Sequence, residues 1–508
     1  MISRKKASKI GLFLGPILFI IVIFIPMEEL GQQLSFEARI VLATTLWMGT
    51  WWITEAIPIY VTALLPLVVF PSLNVTELGQ TSANYADRVV FLFLGGFILA
   101  KAVEKSNLHS RFALNILKIF GTNPKYIIAA FMVVTGFLSA WMSNTATTML
   151  MLPIATAVVS IFHNKNDQQR FAVCLMLSVA YSASLGGMAT LIGSPPNAIL
   201  ASLSKSIVNI DITFGQWMLV GLPISGISLV VAWLYMINFG AKITHIKSII
   251  VEKDIIRKKL SDLGNLNRDE KIVAGVFIAT AIAWITRGLL WKDVLPMIDD
   301  STIVIVAAIS LFLIPSISPS NNDHNIHVGN RNAEFDSSNV IHKENNNNNK
   351  KLLDWNTAVK IPWGVLLLIG GGLALANAFT TTGVDKLIAQ QLNFLGGMHY
   401  FIIILVVVSI TIFAGEIISN TATAALMIPI SASFATTLDI NPILLMVPIT
   451  LATSYGFIMP VGTPPNAIIF ASGHVTAAKM ARAGLPLDII GIVIVTALSS
   501  ILVPLLYE

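Results

Sequence analysis

Two short polar passages inside apolar stretches constrain this chain more than any other feature. The passage Ser-Asn-Thr-Ala-Thr occurs at 143–147 and again at 419–423, and the segment after each copy contains a proline, Pro153 or Pro429. Small polar residues at membrane depth are costly unless they line a cavity or bind something. Two copies of one costly cluster therefore predict a single site built from two halves, as in a transporter.

The composition places these passages in a membrane. Of the 508 residues, 55% are hydrophobic and only 12% are charged, and the mean hydropathy is +0.77. Soluble globular proteins carry about a quarter charged residues, whereas runs of about 20 apolar residues are typical of helical membrane spans. We therefore predict an all-α polytopic membrane protein. The single cysteine, Cys174, excludes an internal disulfide and a cysteine-based metal cluster.

The apolar runs divide into eleven predicted transmembrane helices and two re-entrant helical hairpins. The hairpins, at 126–162 and 399–435, contain the two polar passages. The first apolar run is predicted to be a retained span, because no small-residue cleavage site precedes Pro26. The predicted spans are 10–26, 39–58, 59–71, 88–104, 171–203, 214–240, 271–289, 300–315, 357–380, 441–471 and 485–507.

The distribution of positive charge orients this path. With a cytoplasmic N-terminus, the segments that face the cytoplasm hold 25 of the 32 Lys and Arg residues, which agrees with the positive-inside rule. The sequence thus predicts a multi-pass protein of the plasma (cell inner) membrane with its C-terminus outside. Its basic loops suit anionic membrane lipid and not nucleic acid. Those loops are 1–9, 101–125, 162–170, 241–271, 316–356 and 472–484.

The chain also repeats itself internally. Three blocks recur in the same order at offsets of 275, 276 and 269, namely 93–97 with 368–372, Asn144 with Asn420, and 192–199 with 461–468. On the predicted path the two copies face opposite ways, which is the inverted-repeat architecture of secondary transporters. We divide the chain into an N-terminal span and loop (1–38), a first repeat (39–240), a basic cytoplasmic connector (241–271) and a second repeat (272–508). The polar loop 316–356 interrupts the second repeat, and we assign no function to it.

Each half supplies a hairpin tip and an interrupted span. The first amides of the helix after each Ser-Asn-Thr lack intrahelical partners, and together with the positive helix end they suit a carboxylate or another oxyanion. The runs Gly-Ser-Pro-Pro-Asn (193–197) and Gly-Thr-Pro-Pro-Asn (462–466) cannot continue a helix, because proline lacks an amide donor. The carbonyls freed there suit a hard cation such as Na⁺.

Basic side chains are missing from the predicted site. No Arg, Lys or His lies in 126–162, 171–203 or 441–471. A divalent anion would therefore need bound Na⁺ ions as its countercharge, which favours sodium coupling. Glu416, just before the second tip, is predicted to cap or brace the hairpin, since a like charge would repel a dianion.

Three other interpretations of the sequence are less well supported. Small polar residues also pack membrane helices together, but two copies followed by the Pro-Pro-Asn runs favour a binding site. A membrane enzyme would need paired carboxylates, a Ser/His dyad or a metal cluster within the spans, and the sequence offers none of these. An anion channel would not need an inverted repeat.

These motifs resemble the divalent-anion:sodium symporter family, the INDY-like carriers of dicarboxylates, citrate and sulfate. The resemblance rests on both Ser-Asn-Thr motifs and on 453–469, which is similar to the family signature but ends in Ile469 where Val is usual. It covers about residue 39 to the C-terminus, apart from 241–271 and 316–356. It implies Na⁺-coupled symport of C4-dicarboxylates such as succinate, malate or fumarate. A Na⁺-independent dicarboxylate exchanger and a Na⁺-coupled sulfate or citrate symporter remain open.

The resemblance also implies roles for individual residues. The first sodium site would comprise Ser139, Ser143, Asn144 and the carbonyl of Gly193. The second would comprise Asn420, Gly462, Pro464 and carbonyls near Gly415 and Ile418. The substrate carboxylates would be held by Asn144, Thr145, Ser194, Asn420, Thr421 and Thr463. The position of Gly415 often carries a hydroxyl in relatives, so a side-chain ligand would be lost here.

Finally, the resemblance implies a homodimer that works by an elevator motion. A transport domain carrying the hairpins would slide past a fixed scaffold domain. The sequence leaves the transported anion, the number of sodium ions and the resting conformation open.

Overall fold

The computed structural model describes residues 4–24, 34–119, 123–160, 165–240, 243, 260–316, 351–384, 387, 397–460 and 462–507. Within these ranges the chain is helical and forms no β-strand, apart from an isolated bridge between Pro315 and Lys351. The predicted all-α class is confirmed.

The helices follow the apolar runs of the sequence. In the first half they are Arg4–Phe24, Phe36–Thr54, Ile59–Thr62, Leu65–Ser72, Leu78–Ala83, Arg88–Lys105, Leu108–Ile119, Pro124–Ser139, Asn144–Val159, Lys165–Gly187, Pro195–Val208 and Phe214–Tyr235. In the second half they are Arg268–Thr286, Asp300–Leu313, Trp355–Ala358, Trp363–Thr382, Tyr400–Gly415, Asn420–Thr437, Ile443–Ala452, Pro464–Ala471 and Ala477–Tyr507. A short 3-10 turn covers Asn84–Ala86, and π-helical turns cover Met236–Gly240 and Arg287–Trp291.

Several of these helices could cross a bilayer. Within the described ranges, five are long and apolar enough to do so alone: Lys6–Phe24, Lys165–Gly187, Phe214–Gly240, Trp363–Thr382 and Ala477–Tyr507. The shorter apolar helices include both arms of the first predicted hairpin and the first arm of the second, Tyr400–Gly415. The chain is therefore a polytopic helical membrane protein, while the number of spans and the opposite orientation of the halves stay predictions.

Two predicted spans are broken helices. The span predicted at 171–203 is interrupted at 188–194, and the one predicted at 441–471 is interrupted at 453–463. Each second segment begins with the proline pair in its first turn, at Pro195 and Pro464. Proline suits this position because the first amides of a helix have no intrahelical acceptor. We call these the first and second unwound spans.

Other boundaries differ from the predicted ones. The last helix begins at Ala477, so much of the predicted cytoplasmic loop 472–484 is helical. In the polar loop 316–356, residues 317–350 lie outside the described residues, whereas Trp355–Ala358 forms a short helix capped by Asp354. The connector 241–271 ends in a helix that starts at Arg268, where Asn267 and Glu270 form a capping box.

The two hairpins each consist of two helices joined by a four-residue tip. The first hairpin comprises Pro124–Ser139 and Asn144–Val159, and the second comprises Tyr400–Gly415 and Asn420–Thr437. Helix Pro124–Ser139 of the first hairpin packs very closely against helix Lys165–Gly187. A Cβ added at Gly186 would lie only 2.2 Å from the Gly136 carbonyl oxygen. Small residues allow such close packing of membrane helices.

The halves pack across one another. The return helix of the second hairpin, Asn420–Thr437, packs against Pro195–Val208 of the first unwound span. The return helix of the first hairpin, Asn144–Val159, packs in turn against Pro464–Ala471 of the second unwound span. Each hairpin tip therefore belongs to a helix that contacts the interrupted span of the other half.

Candidate ion and substrate site

Both hairpin tips end in a serine N-cap. Ser143 Oγ accepts from the Ala146 amide at 3.3 Å, and Ser419 Oγ accepts from the Ala422 amide at 3.4 Å. Such caps satisfy one of the four amides that a helix start leaves free. The first intrahelical bonds are made by Thr147 and by Thr423. The amides of the Asn-Thr pair that follows each tip therefore precede the first intrahelical hydrogen bond and remain at the positive helix end.

Oxygen atoms converge behind the first tip. Ser139 Oγ donates to the Ala183 carbonyl oxygen at 2.7 Å. The inward end of the Asn144 amide lies 2.6 Å from Ser139 Oγ, 3.1 Å from the Ala183 carbonyl oxygen and 3.2 Å from the Gly193 carbonyl oxygen. The structure thus brings together three of the four residues predicted for the first sodium site, and adds Ala183.

The Asn144 amide can satisfy this cluster in two ways. With its nitrogen inward, it donates to the surrounding oxygens. With its oxygen inward, it forms with Ser139 Oγ and the two carbonyls a set of four oxygens in which the Ser139 hydroxyl is the one hydrogen-bond donor. Hard cations such as Na⁺ prefer such oxygen ligands. The residues present therefore fit a sodium ion, whereas Ser143 uses its hydroxyl oxygen to cap the helix.

Glycines make room for the first cluster. A Cβ added at Gly187 would lie 2.6 Å from the Asn144 amide oxygen and 3.1 Å from the Gly193 carbonyl oxygen. A Cβ added at Gly193 would lie 2.6 Å from the Gly187 carbonyl oxygen. A larger residue at Gly187 would therefore collide with Asn144, and one at Gly193 would collide with the Gly187 backbone.

The second tip lies beside the second unwound span. Glu416 is 5% exposed, and its carboxylate accepts from the amides of Ile458 at 2.9 Å and Met459 at 2.8 Å. Glu416 therefore braces the hairpin, as the sequence predicts, by fastening its tip to the unwound span. A Cβ added at Gly462 would lie 3.3 Å from this carboxylate and 3.4 Å from the Gly456 carbonyl oxygen. Gly462 is thus surrounded by oxygen atoms.

The other residues predicted for the second sodium site are less closely grouped. Gly415 lies against the unwound span, since a Cβ added there would be 3.6 Å from the Tyr455 carbonyl oxygen. The Asn420 amide oxygen is buried and has no hydrogen-bond partner among the described residues. Ile418 is half-buried and Pro464 is exposed. No described contact joins these last three residues to Gly462, so the ligand set of the second site stays a prediction.

One hydrogen-bond pattern occurs in both unwound spans. Asn197 Nδ2 donates to the carbonyl oxygens of Gly187 at 3.0 Å and Thr190 at 2.8 Å. Asn466 Nδ2 donates at 2.9 Å and 3.1 Å to the carbonyl oxygens of Gly456 and Met459, which lie 269 positions later than Gly187 and Thr190. The asparagine of each Pro-Pro-Asn run therefore closes its own turn, which explains why the motif ends in asparagine.

The residues predicted to hold substrate occupy helix starts. Asn144, Thr145, Asn420 and Thr421 are half-buried in the first turns of the return helices. Ser194 and Thr463 are buried N-cap residues of the segments that follow the breaks. Because these helix starts all belong to the cross-packed elements, they suit an anion at the junction of the two halves.

Several residues that contribute to this region were not predicted from the sequence. Ala183 contributes only a backbone carbonyl, which no side-chain pattern reveals. Thr147 and Thr423 have buried hydroxyls without a partner among the described residues, and their place as the last residue of each repeated passage was the available signal. Asp488, fully buried in the last helix, accepts from the amides of Gly456 and Phe457 at 3.3 Å.

Sodium-dependent dicarboxylate transporters resemble this chain over nearly its whole length. The protein SdcS of Staphylococcus saprophyticus is 38% identical over 518 residues, which is 99% of this chain and 94% of SdcS. SdcS of Staphylococcus aureus is 38% identical over 509 residues, which is 97% of this chain and 92% of that protein.

Two solved structures share the fold. The YdaH transporter of Alcanivorax borkumensis aligns with a TM-score of 0.56 at 12% identity, over 91% of this chain and 98% of that chain. MtrF of Neisseria gonorrhoeae, from a class of antimetabolite efflux pumps, aligns with a TM-score of 0.55 at 13% identity, over 94% of this chain and 96% of that chain. At these identities, the likeness concerns the fold alone.

The family assignment follows from the whole length of the chain. The family profile described as the sodium:sulfate symporter transmembrane region matches residues 6–507. Family and relatives are transporters and not enzymes, which confirms the class predicted from the repeated polar passages. The chain belongs to the sodium:sulfate symporter family.

Proposed function

We propose that this protein is a Na⁺-coupled symporter that imports dicarboxylates, with C4 acids such as succinate, malate and fumarate as its substrates. The observation that carries the proposal is the oxygen cluster of Ser139, Asn144, Ala183 and Gly193, which has the chemistry of a sodium site directly behind an anion-binding helix start. The 38% identity to sodium-dependent dicarboxylate transporters supports the choice of cargo.

The mechanism follows from the placement of charge. The amides and side chains of Asn144, Thr145, Asn420 and Thr421 donate hydrogen bonds to the two carboxylates from the starts of the two return helices. Hydrogen bonds alone do not cancel two negative charges in a low-dielectric site. Because the site segments contain no Lys, Arg or His, sodium ions behind the tips supply the countercharge. Anion affinity therefore rises with sodium, which is the thermodynamic basis of coupling.

Sodium ions bound at these sites position the hairpin tips in addition to balancing the charge of the anion. In the first site, Asn144 takes part both in the oxygen cluster and in the first turn of the return helix. Bound sodium orients the Asn144 carbonyl toward the cluster and leaves its amide nitrogen free to face the anion. One asparagine thus links the binding of the two ions.

We further propose the arrangement that the family resemblance implies. The two hairpins and the two unwound spans form a transport domain that moves relative to a scaffold in an elevator motion, within a homodimer. The halves are inverted repeats, with the N-terminus in the cytoplasm and the C-terminus outside. The cross-packing of hairpins and unwound spans supports treating these four elements as one unit.

Uptake by proteoliposomes tests the function. We expect succinate uptake driven by an inward sodium gradient, loss of uptake when choline replaces sodium, and competition by malate and fumarate. Equal uptake in sodium and choline would refute sodium coupling. Counterflow that ignores the sodium gradient would select a dicarboxylate exchanger instead. Because the family profile is named for sulfate, sulfate and citrate belong in the competition panel, and preference for either would change the cargo.

Variants of the two tip asparagines test the site. Asn144→Ala and Asn420→Ala should each abolish sodium-driven uptake while the protein still reaches the membrane. Asn238→Ala is the matched control, since Asn238 is an exposed asparagine whose amide donates to the Leu234 carbonyl within its own helix. Normal uptake by either tip variant would show that the tips do not hold the transported ions.

A further inference from the structure

The two unwound spans are held by chemically different groups. In the first, Ser225 Oγ donates to the Leu185 carbonyl oxygen at 2.7 Å, and Trp217 Nε1 donates to the Met188 carbonyl oxygen at 3.0 Å. In the second, the carboxylate of Asp488 accepts from the amides of Gly456 and Phe457. Neutral donors thus fasten the first span, whereas a buried carboxylate fastens the second.

These contacts reveal a fourth pair of matching blocks. Gly-Leu-Pro-Ile-Ser at 221–225 matches Gly-Leu-Pro-Leu-Asp at 484–488, at an offset of 263. The two glycines touch equivalent carbonyls, since an added Cβ would lie 2.5 Å from the Met188 oxygen in the first half and 2.1 Å from the Phe457 oxygen in the second. Ser225 and Asp488 therefore occupy equivalent positions, and a hydroxyl in one half is replaced by a carboxyl group in the other.

The last helix is shaped to hold the second span. Gly484, Asp488 and Gly491 are spaced by four and three residues, so they lie on one helical face. A Cβ added at Gly484 would lie 2.1 Å from the Phe457 carbonyl oxygen, and one added at Gly491 would lie 2.3 Å from the Tyr455 ring. Two glycines thus let the span lie directly on the helix, with the carboxyl group of Asp488 between them.

Glu416 adds a second carboxyl group to the same turn. Its oxygens accept from the amides of Ile458 and Met459, next to the two amides held by Asp488. The equivalent position of the first hairpin, 276 residues earlier, is Ala140. Four consecutive amides of the second span therefore donate to carboxylates, while neither equivalent position of the first half carries a charge.

The carboxylates explain why the second span is unwound further. Helix Lys165–Gly187 continues to Gly187, whereas helix Ile443–Ala452 ends four residues before Gly456, the equivalent of Gly187. Amides that would continue the helix donate to Asp488 and Glu416 instead, so the carbonyls of Thr453, Ser454 and Tyr455 receive no helical hydrogen bond from any residue that the structure describes. The Tyr455 carbonyl is one of these and lies beside Gly415.

Asp488 and Glu416 form a buried pair whose side chains hydrogen-bond each other, so the pair shares a proton and carries one negative charge. Asp488 is fully buried and Glu416 is 5% exposed, and no ion pair among the described residues includes either. Buried charges in membrane proteins are almost always compensated. A cation at the freed carbonyls of the second span would supply that compensation.

We propose that Asp488 and Glu416 are positioning residues that make the second sodium site the higher-affinity site of the two. They unwind the extra turn whose carbonyls face the cation, and the one negative charge of the pair strengthens its binding. This inference rests on the proposed sodium coupling and deepens it, because it assigns different sodium affinities to two sites related by an internal repeat.

A charge-removing double variant tests the proposal. The double variant Asp488→Asn, Glu416→Gln keeps one oxygen at each position to accept from the amides of the second span, but it removes the negative charge of the pair. Purified protein is melted in detergent over a sodium series, with choline chloride holding the ionic strength constant and no dicarboxylate present. We expect the sodium concentration for half-maximal thermal stabilisation to rise about tenfold in the double variant, since hydrogen bonds to charged groups are roughly twice as strong as neutral ones.

Uptake measurements separate positioning from general damage. At saturating sodium, the KM for succinate in the double variant should return to the wild-type value, whereas the sodium requirement of uptake stays raised. Thr496→Val and Ser499→Ala are controls from the same helix, because each removes a buried hydroxyl without a partner among the described residues. Both controls should keep the wild-type sodium curve.

Each result decides one point. A wild-type sodium curve in the double variant would overturn the inference, and so would a succinate KM that stays raised at saturating sodium. Equal shifts in the two control variants would also overturn it, because the effect would then belong to the helix and not to the charge. Wild-type protein that is neither stabilised by sodium nor dependent on it for uptake would instead refute the proposed function.

Discussion

Replacing Gly187 by alanine should weaken sodium binding without unfolding the protein. Gly187 is the last residue of helix Lys165–Gly187, where its backbone does not require glycine, and alanine favours a helix by up to about 1 kcal/mol. The added methyl group would nevertheless point at Asn144. The substitution therefore separates fold stability from the proposed first sodium site.

The size of the effect follows from the contact distances. The new Cβ would lie 2.6 Å from the Asn144 amide oxygen, while ordinary contact begins at 3.4 Å, so the amide or the methyl group must move by about 0.8 Å. Displacements near 1 Å in a preorganised site cost up to about 100-fold. We expect the sodium concentration for half-maximal succinate uptake to rise by about tenfold to 100-fold.

The assay compares two glycine substitutions in proteoliposomes. Gly226→Ala is the matched control, because Gly226 is also helical and an added Cβ there meets nothing within 4 Å. Gly226→Ala should keep the wild-type sodium curve, and both variants should keep a melting temperature close to that of the wild type. Wild-type sodium dependence in Gly187→Ala would refute the placement of a cation next to Asn144. A shift of equal size in Gly226→Ala would refute the steric reasoning.

Two further predictions concern ion pairs away from the site. Arg111→Ala should cost about 3–5 kcal/mol, because it leaves the nearly inaccessible carboxylate of Glu270 without its partner. Lys105→Ala, which breaks a more exposed pair, should cost at most about 1 kcal/mol, and unfolding midpoints in denaturant compare the two. Burial opposes the charged form of Asp211, yet the hydrogen bond and charge of Arg88 hold its pKa below the usual value. The stability advantage of wild type over Asp211→Asn should therefore be complete above about pH 3.9 and vanish as the pH falls through the lowered pKa. An advantage that grows in acid would contradict this assignment.

The sequence predicts those features that depend on side-chain type. Long apolar runs identify the helices, and the proline pairs at 195–196 and 464–465 mark where two of them restart. The repeated Ser-Asn-Thr passages predict helix starts with free amides, and the structure shows a serine N-cap at each. These predictions succeed because the signal is local: a proline or a capping serine constrains its own turn.

Features that depend on the backbone of another element cannot be read in the same way. The Ala183 carbonyl joins the first oxygen cluster only because helix Lys165–Gly187 packs closely on the hairpin, and an alanine gives no sign of this. The role of Asp488 depends on the turn that lies on its helix, and the matching block ends in Ser225, a different residue type. The start of the last helix at Ala477 was not predicted, because the segment 477–484 contains Lys479 and Arg482, and such charges are typical of a loop.

The crosswise packing of the two halves has a consequence for how the protein is made. A ribosome delivers the first hairpin and helix Pro195–Val208 before Asn420–Thr437 and Pro464–Ala471 exist to cover them. During that interval the nascent first half holds polar groups within the membrane without their final neighbours. Its lasting insertion therefore depends on completion of the chain, and premature termination in the connector yields a fragment suited to degradation.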